Sequence, residues 1–338
     1  EVVRHPEVDI VAEVFGGTEA AKELVLEAIR HGKHVVTANK KLLAEYGSEV
    51  FALAEEKNVM VQFEAAVAGG IPIIKALREG LSANRIRSIA GIINGTSNFI
   101  LSEMREKGSA FADVLKEAQA LGYAEADPTF DIEGNDAGHK ITIMSALAFG
   151  TPMNFPACYL EGISKLDSRD IKYAEEFGYR IKLLGITRKT DKGIELRVHP
   201  TLIPESRLLA NVNGVMNAVR VNADMVGETL YYGAGAGALP TASAVVADII
   251  DIARLIEAET DHRVPHLAFQ PSQVQAQNIL PMDEITSSYY LRVQATDEPG
   301  TLGQIAALLA KENVSIEALI QKGVINQSTA EIVILTHT

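Results

Sequence analysis

The sequence predicts a chain of three parts: a parallel α/β layer, an α+β unit built on an antiparallel or mixed sheet, and a small C-terminal α+β unit. Three observations carry this. Residues 1–65 alternate short apolar strands with amphipathic helices. Strand-like runs at 180–203 and 216–233 are interrupted only by short turns, the pattern of neighbouring antiparallel strands. From residue 289 a strand, turn, helix, strand order starts afresh.

In the first part, VDIVAEVF (8–15) is a strand turned by Gly16-Gly17-Thr18. Thr18 is placed to N-cap the helix EAAKELVLEAIRH, which Gly32 closes. HVVTAN (34–39), LLAEYGSEVFALAEEKN and VMVQFEAA (59–66) follow as strand, helix and strand. Strands alternating with helices imply a parallel, doubly wound sheet, which binds ligands beyond its strand C-termini. Gly16-Gly17-Thr18 and Thr37-Ala38-Asn39-Lys40 lie at such ends. A dinucleotide fold opens with a strand, G-x-G-x-x-G and a helix. Nothing before Val8 supplies them. The expectation is therefore a Rossmann-like layer incomplete at its N-terminus, with the main phosphate-binding residues outside this sequence.

The second part begins near residue 67. VAGGIPIIKALREGL places Pro72 near a helix start, RIRSIAGIIN (85–94) is a strand, and Gly95-Thr96-Ser97-Asn98 opens another helix. RIKLLGITRK and GIELRVHPTLI pair around Asp191-Lys192-Gly193, and MNAVRVNADMVGETLYYG supplies a further pair of strands. The run Gly233–Ala238 fits G-x-G-x-x-A and precedes the helix ALPTASAVVADIIDIARLIEA. The segment after that helix is irregular, with Pro265, Pro271 and Pro281, and offers no second parallel strand. The run is therefore read as a glycine-rich turn closing over a ligand, not as a dinucleotide fingerprint. The expected division is 1–66, 67–258 with its last helix packing back on the first part, a linker at 259–288, and 289–338.

Composition narrows the function. A net charge of −13 and a pI near 5.2 argue against nucleic acid and acidic membrane surfaces as partners. The single cysteine, Cys158, rules out an internal disulfide framework and fits a reducing, cytoplasmic compartment. It sits in NFPACYLEGI with no basic neighbour, so it reads as a small buried hydrophobe and not as a nucleophile. No apolar run reaches transmembrane length and no signal peptide opens the sequence. The eight histidines form no ligand-spaced cluster, which argues against zinc.

The chemistry concentrates in AQALGYAEADPTFDIEGNDAGHK (118–140). It gathers Glu125, Asp127, Asp131, Glu133 and Asp136 with one lysine, Lys140, and is punctuated by Gly122, Pro128, Gly134 and Gly138. Asp136 and Lys140 share one face of the helix DAGHKITIMSALAF. An arbitrary pair at that spacing is a surface ion pair worth a few tenths of a kcal/mol. Here the helix is strongly apolar and thus mostly buried, and the preceding loop gathers acids without compensating bases, as a binding site does.

Ala118, Gly122, Tyr123, Ala124, Asp127, Pro128, Asp131, Ile132, Gly134, Asp136 and Lys140 together resemble the signature of homoserine dehydrogenases, filled without a gap. NGTSNFIL (94–101) is similar to the same family. The resemblance implies NAD(P)-dependent interconversion of L-homoserine and L-aspartate 4-semialdehyde, in threonine, methionine and isoleucine biosynthesis. It implies that Lys140 shuttles the proton and that Lys40 lies near nicotinamide and substrate. A solvated lysine at a helix start is the bland reading of Lys40, yet a cation there opposes the helix dipole, itself a hint of function. Asp136 and Glu125 match positions holding the substrate amine, with Asp131 and Gly122 in the same cluster. Gly16, Gly17, Thr18, Lys40 and Gly237 are expected around the cofactor, NADP or NAD. Glu64, Val67, Gly69 and Ile71 match positions that bind a monovalent cation, Na⁺ or K⁺, largely through main-chain oxygens. A homo-oligomer, dimer or tetramer, is expected.

In the third part Asp297, Pro299, Gly300 and Leu302 resemble the D-x-P-G-x-L turn of ACT regulatory domains, which implies an amino-acid effector, threonine above all. Two other readings stand beside this one: the dehydrogenase half of an aspartate kinase fusion, and a non-catalytic amino-acid sensor. The intact Asp136 and Lys140 pair counts against the sensor.

Overall fold

In a computed structural model of the chain, residues 1–258, 264–326 and 329–338 are described. The expected linker 259–288 thus falls partly outside the described residues.

Three strands, β1 (Ile10–Glu13), β2 (His34–Thr37) and β3 (Val61–Gln62), form a parallel sheet in that order. They are linked by α1 (Glu19–Arg30) and α2 (Lys40–Glu56). The strand expected over 59–66 shrinks to two ladder residues because the chain curls into a 3₁₀ turn at Glu64–Ala66. There the Glu64 carboxylate accepts the main-chain N–H groups of Ile74 and Lys75 at 2.9 and 2.8 Å. Thr18 occupies the N-cap position of α1 but its hydroxyl makes no cap bond. Asn39 does cap α2, accepting from Leu42 N at 3.0 Å.

The chain continues through α3 (Ile73–Lys75), a π-helical turn at Ala76–Gly80, β4 (Ile86–Ile92), α4 (Gly95–Lys107), α5 (Phe111–Ala120), α6 (Thr129–Ile132) and α7 (Asn135–Phe149). Then come β5 (Tyr159–Leu160), α8 (Ser168–Glu176), β6 (Tyr179–Lys189), β7 (Ile194–Pro204), β8 (Met216–Ala223) and β9 (Glu228–Ala234). These strands form one mixed sheet in the order β5-β7-β6-β4-β8-β9, antiparallel except where β5 meets β7. The long helix α9 (Ala238–Glu257) then lies against β1 and β2 of the first sheet, where Ile252 packs with Val36 and Met60. β10 (Tyr290–Thr296), α10 (Thr301–Lys311), β11 (Ile316–Asn326) and β12 (Thr329–Thr336) make a separate antiparallel sheet with β12 at its centre.

Helix α7 organises the middle of the molecule. Gly134 (φ 84°) and Gly150 (φ 61°) bracket it in the left-handed region, where glycine meets no steric penalty. Every residue from Asp136 to Phe149 is buried. One side packs on β4, β6 and β7 through residues such as Ile141, and another on α2. Burying each of its large apolar side chains stabilises the fold by roughly 1.5–3 kcal/mol. That burial carries Asp136 and Lys140 into the interior with them.

The expected linker proves to be packed. Gln277 Nε2 donates to Phe149 O at 2.6 Å and Gln275 N to Gly150 O at 3.0 Å, satisfying carbonyls that the end of α7 leaves open. Ile279 bridges Ile194 beside β7, and Leu280 and Ile285 are buried. Its described part, residues 264–288, has no long helix or strand of its own, as expected of a linker. Its isolated apolar residues instead find partners far away in sequence. Helix α8 is a further element the hydrophobic pattern did not announce, opened by a capping box between Asp167 and Asp170.

Candidate active site

The α2 N-terminus, the start of α4, the α5–α6 loop, the first turn of α7 and the turn after β9 converge on one cavity of about 410 Å³. Lys40, Asn94, Thr96, Gly122, Asp131, Asp136, Lys140, Asn217 and the run Ala234–Gly237 line it.

Asp136 is its electrostatic centre. Lys140 Nζ donates to Asp136 Oδ2 at 2.7 Å and to Ile93 O at 2.7 Å. Lys40 Nζ lies 3.0 Å from Asp136 Oδ1. Asn94 Nδ2 donates to Asp136 Oδ2 at 2.9 Å and to Asp131 Oδ1 at 2.8 Å, while Asn94 Oδ1 accepts from Ser97 N at 2.8 Å to cap α4. Burial opposes the charge on Asp136, but the Lys140 and Lys40 ammonium groups beside it hold its carboxyl well below the usual range. Burial pushes the Lys140 ammonium down, with Asp136 opposing and Lys40 reinforcing that shift. Lys40 moves the other way, raised chiefly by Asp136. Asp131 is raised by burial and by the neighbouring Asp136 charge. Two lysines beside one carboxylate thus titrate differently, and the more buried one is biased toward its neutral, basic form.

The fold brings most of the anticipated residues together. Lys40 is not a solvated lysine: its side chain is 34% exposed and its charge is answered by Asp136 across the α2–α7 contact. Gly122 (φ 76°) turns the chain at the cavity rim. Glu125 is exposed and is not among the lining residues, though its field reaches Lys40. Asp127 serves its own loop by accepting from the Thr129 N–H at 3.1 Å and hydroxyl at 2.6 Å.

Gly16 and Gly17 form an exposed loop with φ of 74° and 80° at the end of β1. A buried carboxylate shapes it: Glu13 accepts from Gly16 N at 3.2 Å and from the Thr37 hydroxyl at 2.7 Å. Asn39 Nδ2 donates to Gly17 O at 2.7 Å. The loop and the α2 N-terminus are thereby tied into one ridge facing the side where a parallel layer binds its ligand. The Gly235 turn rests directly on Asn217, whose carboxamide would collide with any Cβ at 235. Asn217 Oδ1 is buried and has no hydrogen-bond partner among the described residues. The α9 N-terminus at Gly237 and the unsatisfied Asn217 oxygen, both at the cavity, suit a polar ligand there.

The expected cation positions fit less well. The Glu64 carboxylate is taken by two N–H donors, and Ile71 O accepts from Ile73 N at 2.7 Å. Only the Val67 and Gly69 carbonyls of that set accept no main-chain bond among the described residues. Among the described residues no cluster of three or more His, Cys, Asp or Glu could hold a metal ion. Cys158 is buried, and its burial pushes the thiol up to about 12.

Sequence reasoning did not single out Asn94 or Asn217 as site residues. Asn94 was detectable as a side chain preceding a helix. Asn217 carries no local signal, being one polar residue in an alternating strand.

A parallel α/β layer beside a cavity that holds a buried lysine–carboxylate pair fits a nucleotide-dependent oxidoreductase. The chain matches the homoserine dehydrogenase family model over residues 72–250, that family's NAD-binding domain over 1–64, and the ACT domain over 289–338. It belongs to the homoserine dehydrogenase family and is an enzyme of that family. It is 89% identical, over all its 338 residues, to the homoserine dehydrogenase of Neisseria gonorrhoeae, covering 78% of that protein. Against the Pseudomonas aeruginosa enzyme the identity is 61%, covering 100% of this chain and 78% of that one. The crystal structure of a homoserine dehydrogenase from Thiobacillus denitrificans superposes with a TM-score of 0.95 at 66% identity, over 99% of this chain and 76% of that one. A hyperthermophilic archaeal homoserine dehydrogenase solved in complex with NADPH aligns with a TM-score of 0.63 at 33% identity, over 73% of this chain and 72% of that one. No helix among the described residues is long and apolar enough to cross a membrane.

Proposed function

We propose that this cavity interconverts L-homoserine and L-aspartate 4-semialdehyde with NADP or NAD, with Lys140 as the proton-transferring residue. The observation that carries the reading is the buried Asp136–Lys140 pair with Lys40 on the opposite carboxylate oxygen. When bound, the nicotinamide supplies hydride acceptance in one direction and donation in the other. The chain's residues do the rest. Neutral Lys140 Nζ takes the proton of the homoserine hydroxyl, and as an ammonium it returns one in the reverse direction. Burial, which lowers its pKa, favours the neutral form that can accept this proton. Asp136, with Asp131 and Glu125, presents negative charge to the substrate amine. Lys40 keeps that cluster from becoming a repulsive pair of acids and offers a cation to the oxygen end of the substrate.

Gly16, Gly17, Thr18 and Gly237 are assigned to the cofactor, supported by the ridge and turn described above. A monovalent cation, Na⁺ or K⁺, is assigned to the main-chain oxygens of Val67 and Gly69, with Glu64 shaping the bend and not ligating through its carboxylate. We assign residues 1–66 to cofactor binding, 67–258 to catalysis and subunit association, and 289–338 to regulation by threonine, in a cytoplasmic homo-oligomer serving threonine, methionine and isoleucine synthesis. The family match over the catalytic segment disfavours a non-catalytic sensor. The test is NADPH and NADH oxidation by the purified enzyme with aspartate semialdehyde, with and without threonine and with Na⁺ or K⁺ exchanged. Absence of turnover with either nucleotide overturns the assignment.

A further inference from the structure

Lys182, on β6, is 1% exposed, and its three hydrogen-bond acceptors are all neutral. Its Nζ donates to Val212 O at 2.6 Å, Asn98 Oδ1 at 3.1 Å and Asn213 Oδ1 at 3.2 Å. An ammonium buried without a carboxylate is costly, and a methionine would fill similar space at less cost. What the lysine adds is therefore the three bonds: two go to Val212 and Asn213 and the third to Asn98 on α4. Asn98 doubles them: its Nδ2 donates to Val212 O at 3.1 Å, Gly214 O at 2.9 Å and Met216 O at 3.2 Å. Ser102 Oγ, one turn further along α4, accepts from Gly214 N at 3.1 Å. Residues 212–215 precede β8 and lie outside its ladder, so these side chains take up carbonyls that a loop must otherwise leave to water.

The segment leads straight into the active cavity. Val215, Met216 and Asn217 line one wall. The wall facing them starts α4, where Asn94 bridges Asp131 and Asp136. The two walls touch at Gly95, where an added Cβ would lie 2.9 Å from Val215 O. The same helix therefore carries Asn94 at the carboxylates and, one turn on, Asn98 at the loop.

We propose that Lys182 and Asn98 are positioning residues that bolt the Val215–Asn217 wall to α4 and so set the width of the substrate cavity. They act through that wall without touching the reacting atoms. The inference rests on the cavity being the homoserine site.

The test is steady-state kinetics of homoserine oxidation at saturating nucleotide, with nucleotide affinity measured separately by fluorescence. Lys182→Met should raise the homoserine KM about tenfold, with kcat within about threefold and nucleotide affinity unchanged. Asn98→Asp, similar in size but with both amide N–H donors removed, should give the same signature. Because the two residues act as one unit, the double variant should be little worse than the worse single one. Lys182→Gln, which keeps a donor for Val212 O, should recover part of the loss. An unchanged KM in either folded variant overturns the proposal. So does a parallel loss of KM, kcat, nucleotide affinity and melting temperature, or failure of both single variants to fold, since each would make the bolt purely structural. If Lys140→Ala leaves turnover intact, it is the reading of the cavity that has failed. If Lys140→Ala is inactive while Lys182→Met keeps its KM, only the bolt has failed.

Discussion

Asp136 and Lys140, one helical turn apart on α7, are joined at 2.7 Å with both side chains buried. On an exposed helix this spacing contributes only a few tenths of a kcal/mol. Inside the protein the two charges determine each other's protonation, and Lys40 reaches the same carboxylate from α2.

Lys140→Ala should lower turnover by roughly 10²–10⁴-fold, the usual size of a general acid–base contribution. Nucleotide affinity, measured by fluorescence titration, should change little. A folded variant with wild-type turnover would remove Lys140 from the mechanism.

Asp136→Asn removes the charge that raises the Lys140 pKa against burial. Lys140 should then lose its proton at lower pH, moving the rising limb of the homoserine-oxidation pH profile downward. The homoserine KM should rise as well, because the amine loses its partner. An unmoved profile together with an unmoved KM would return the pair to a structural role.

Gly235→Ala should strike the turn and spare the fold. Its Cβ would collide with the Asn217 carboxamide, so turn or asparagine must shift. Substrate or nucleotide KM should rise by about tenfold or more, since a displacement near 1 Å is enough to do so. Wild-type kinetics would show that the turn plays no part in binding.

Burial, with Arg105 and Arg180 nearby, pushes the Lys182 ammonium down from 10.5 to about 7. Between these values the unfolded chain binds a proton that the folded one releases, so this residue's contribution to stability rises with pH across that window and is least favourable below 7. The urea stability of wild type relative to Lys182→Met should therefore increase between pH 7 and pH 10. A difference that stays flat would mean that Lys182 titrates normally.

The C-terminal sheet is docked on α8 through charge. Arg292 binds Asp170 at 2.6 Å and Glu331 at 3.1 Å, Arg169 binds Glu331 at 3.0 Å, and Tyr173 donates to Glu331 at 2.6 Å. Glu331 is 1% exposed, so Arg292→Met leaves buried carboxylates short of a cation. A loss on the order of 3 kcal/mol in unfolding free energy is expected. A loss below about 0.5 kcal/mol would place the cluster with solvent-screened surface pairs.

Much of the fold was legible because its signals are local. The alternation in residues 1–65 announced the parallel layer, and α7 stood out as an apolar helix beginning with a charged pair. The strands at 179–189 and 194–204 ran almost as their patterns suggested. The packing of residues 264–288 was not legible, because its prolines are a local signal whereas the partners of Gln277, Ile279 and Leu280 lie far off in the chain. Glu64 was expected at a cation position, and the structure turned its carboxylate onto the start of α3.

By itself the sequence determined the class of the protein, its three-part order and the chemistry near residues 118–140, since each depends on residues close together in the chain. Only the tertiary structure decided which groups meet. Lys40 lies 96 residues from Asp136 in the numbering, yet helix packing sets them 3.0 Å apart. Asn217 and Gly235 touch because β8 and β9 pair. Lys182 reaches Asn98 because the mixed sheet and α4 share a core. The physical reason is the same in each case: a buried polar group must find its partner wherever the packed chain supplies one, and sequence distance does not enter that requirement.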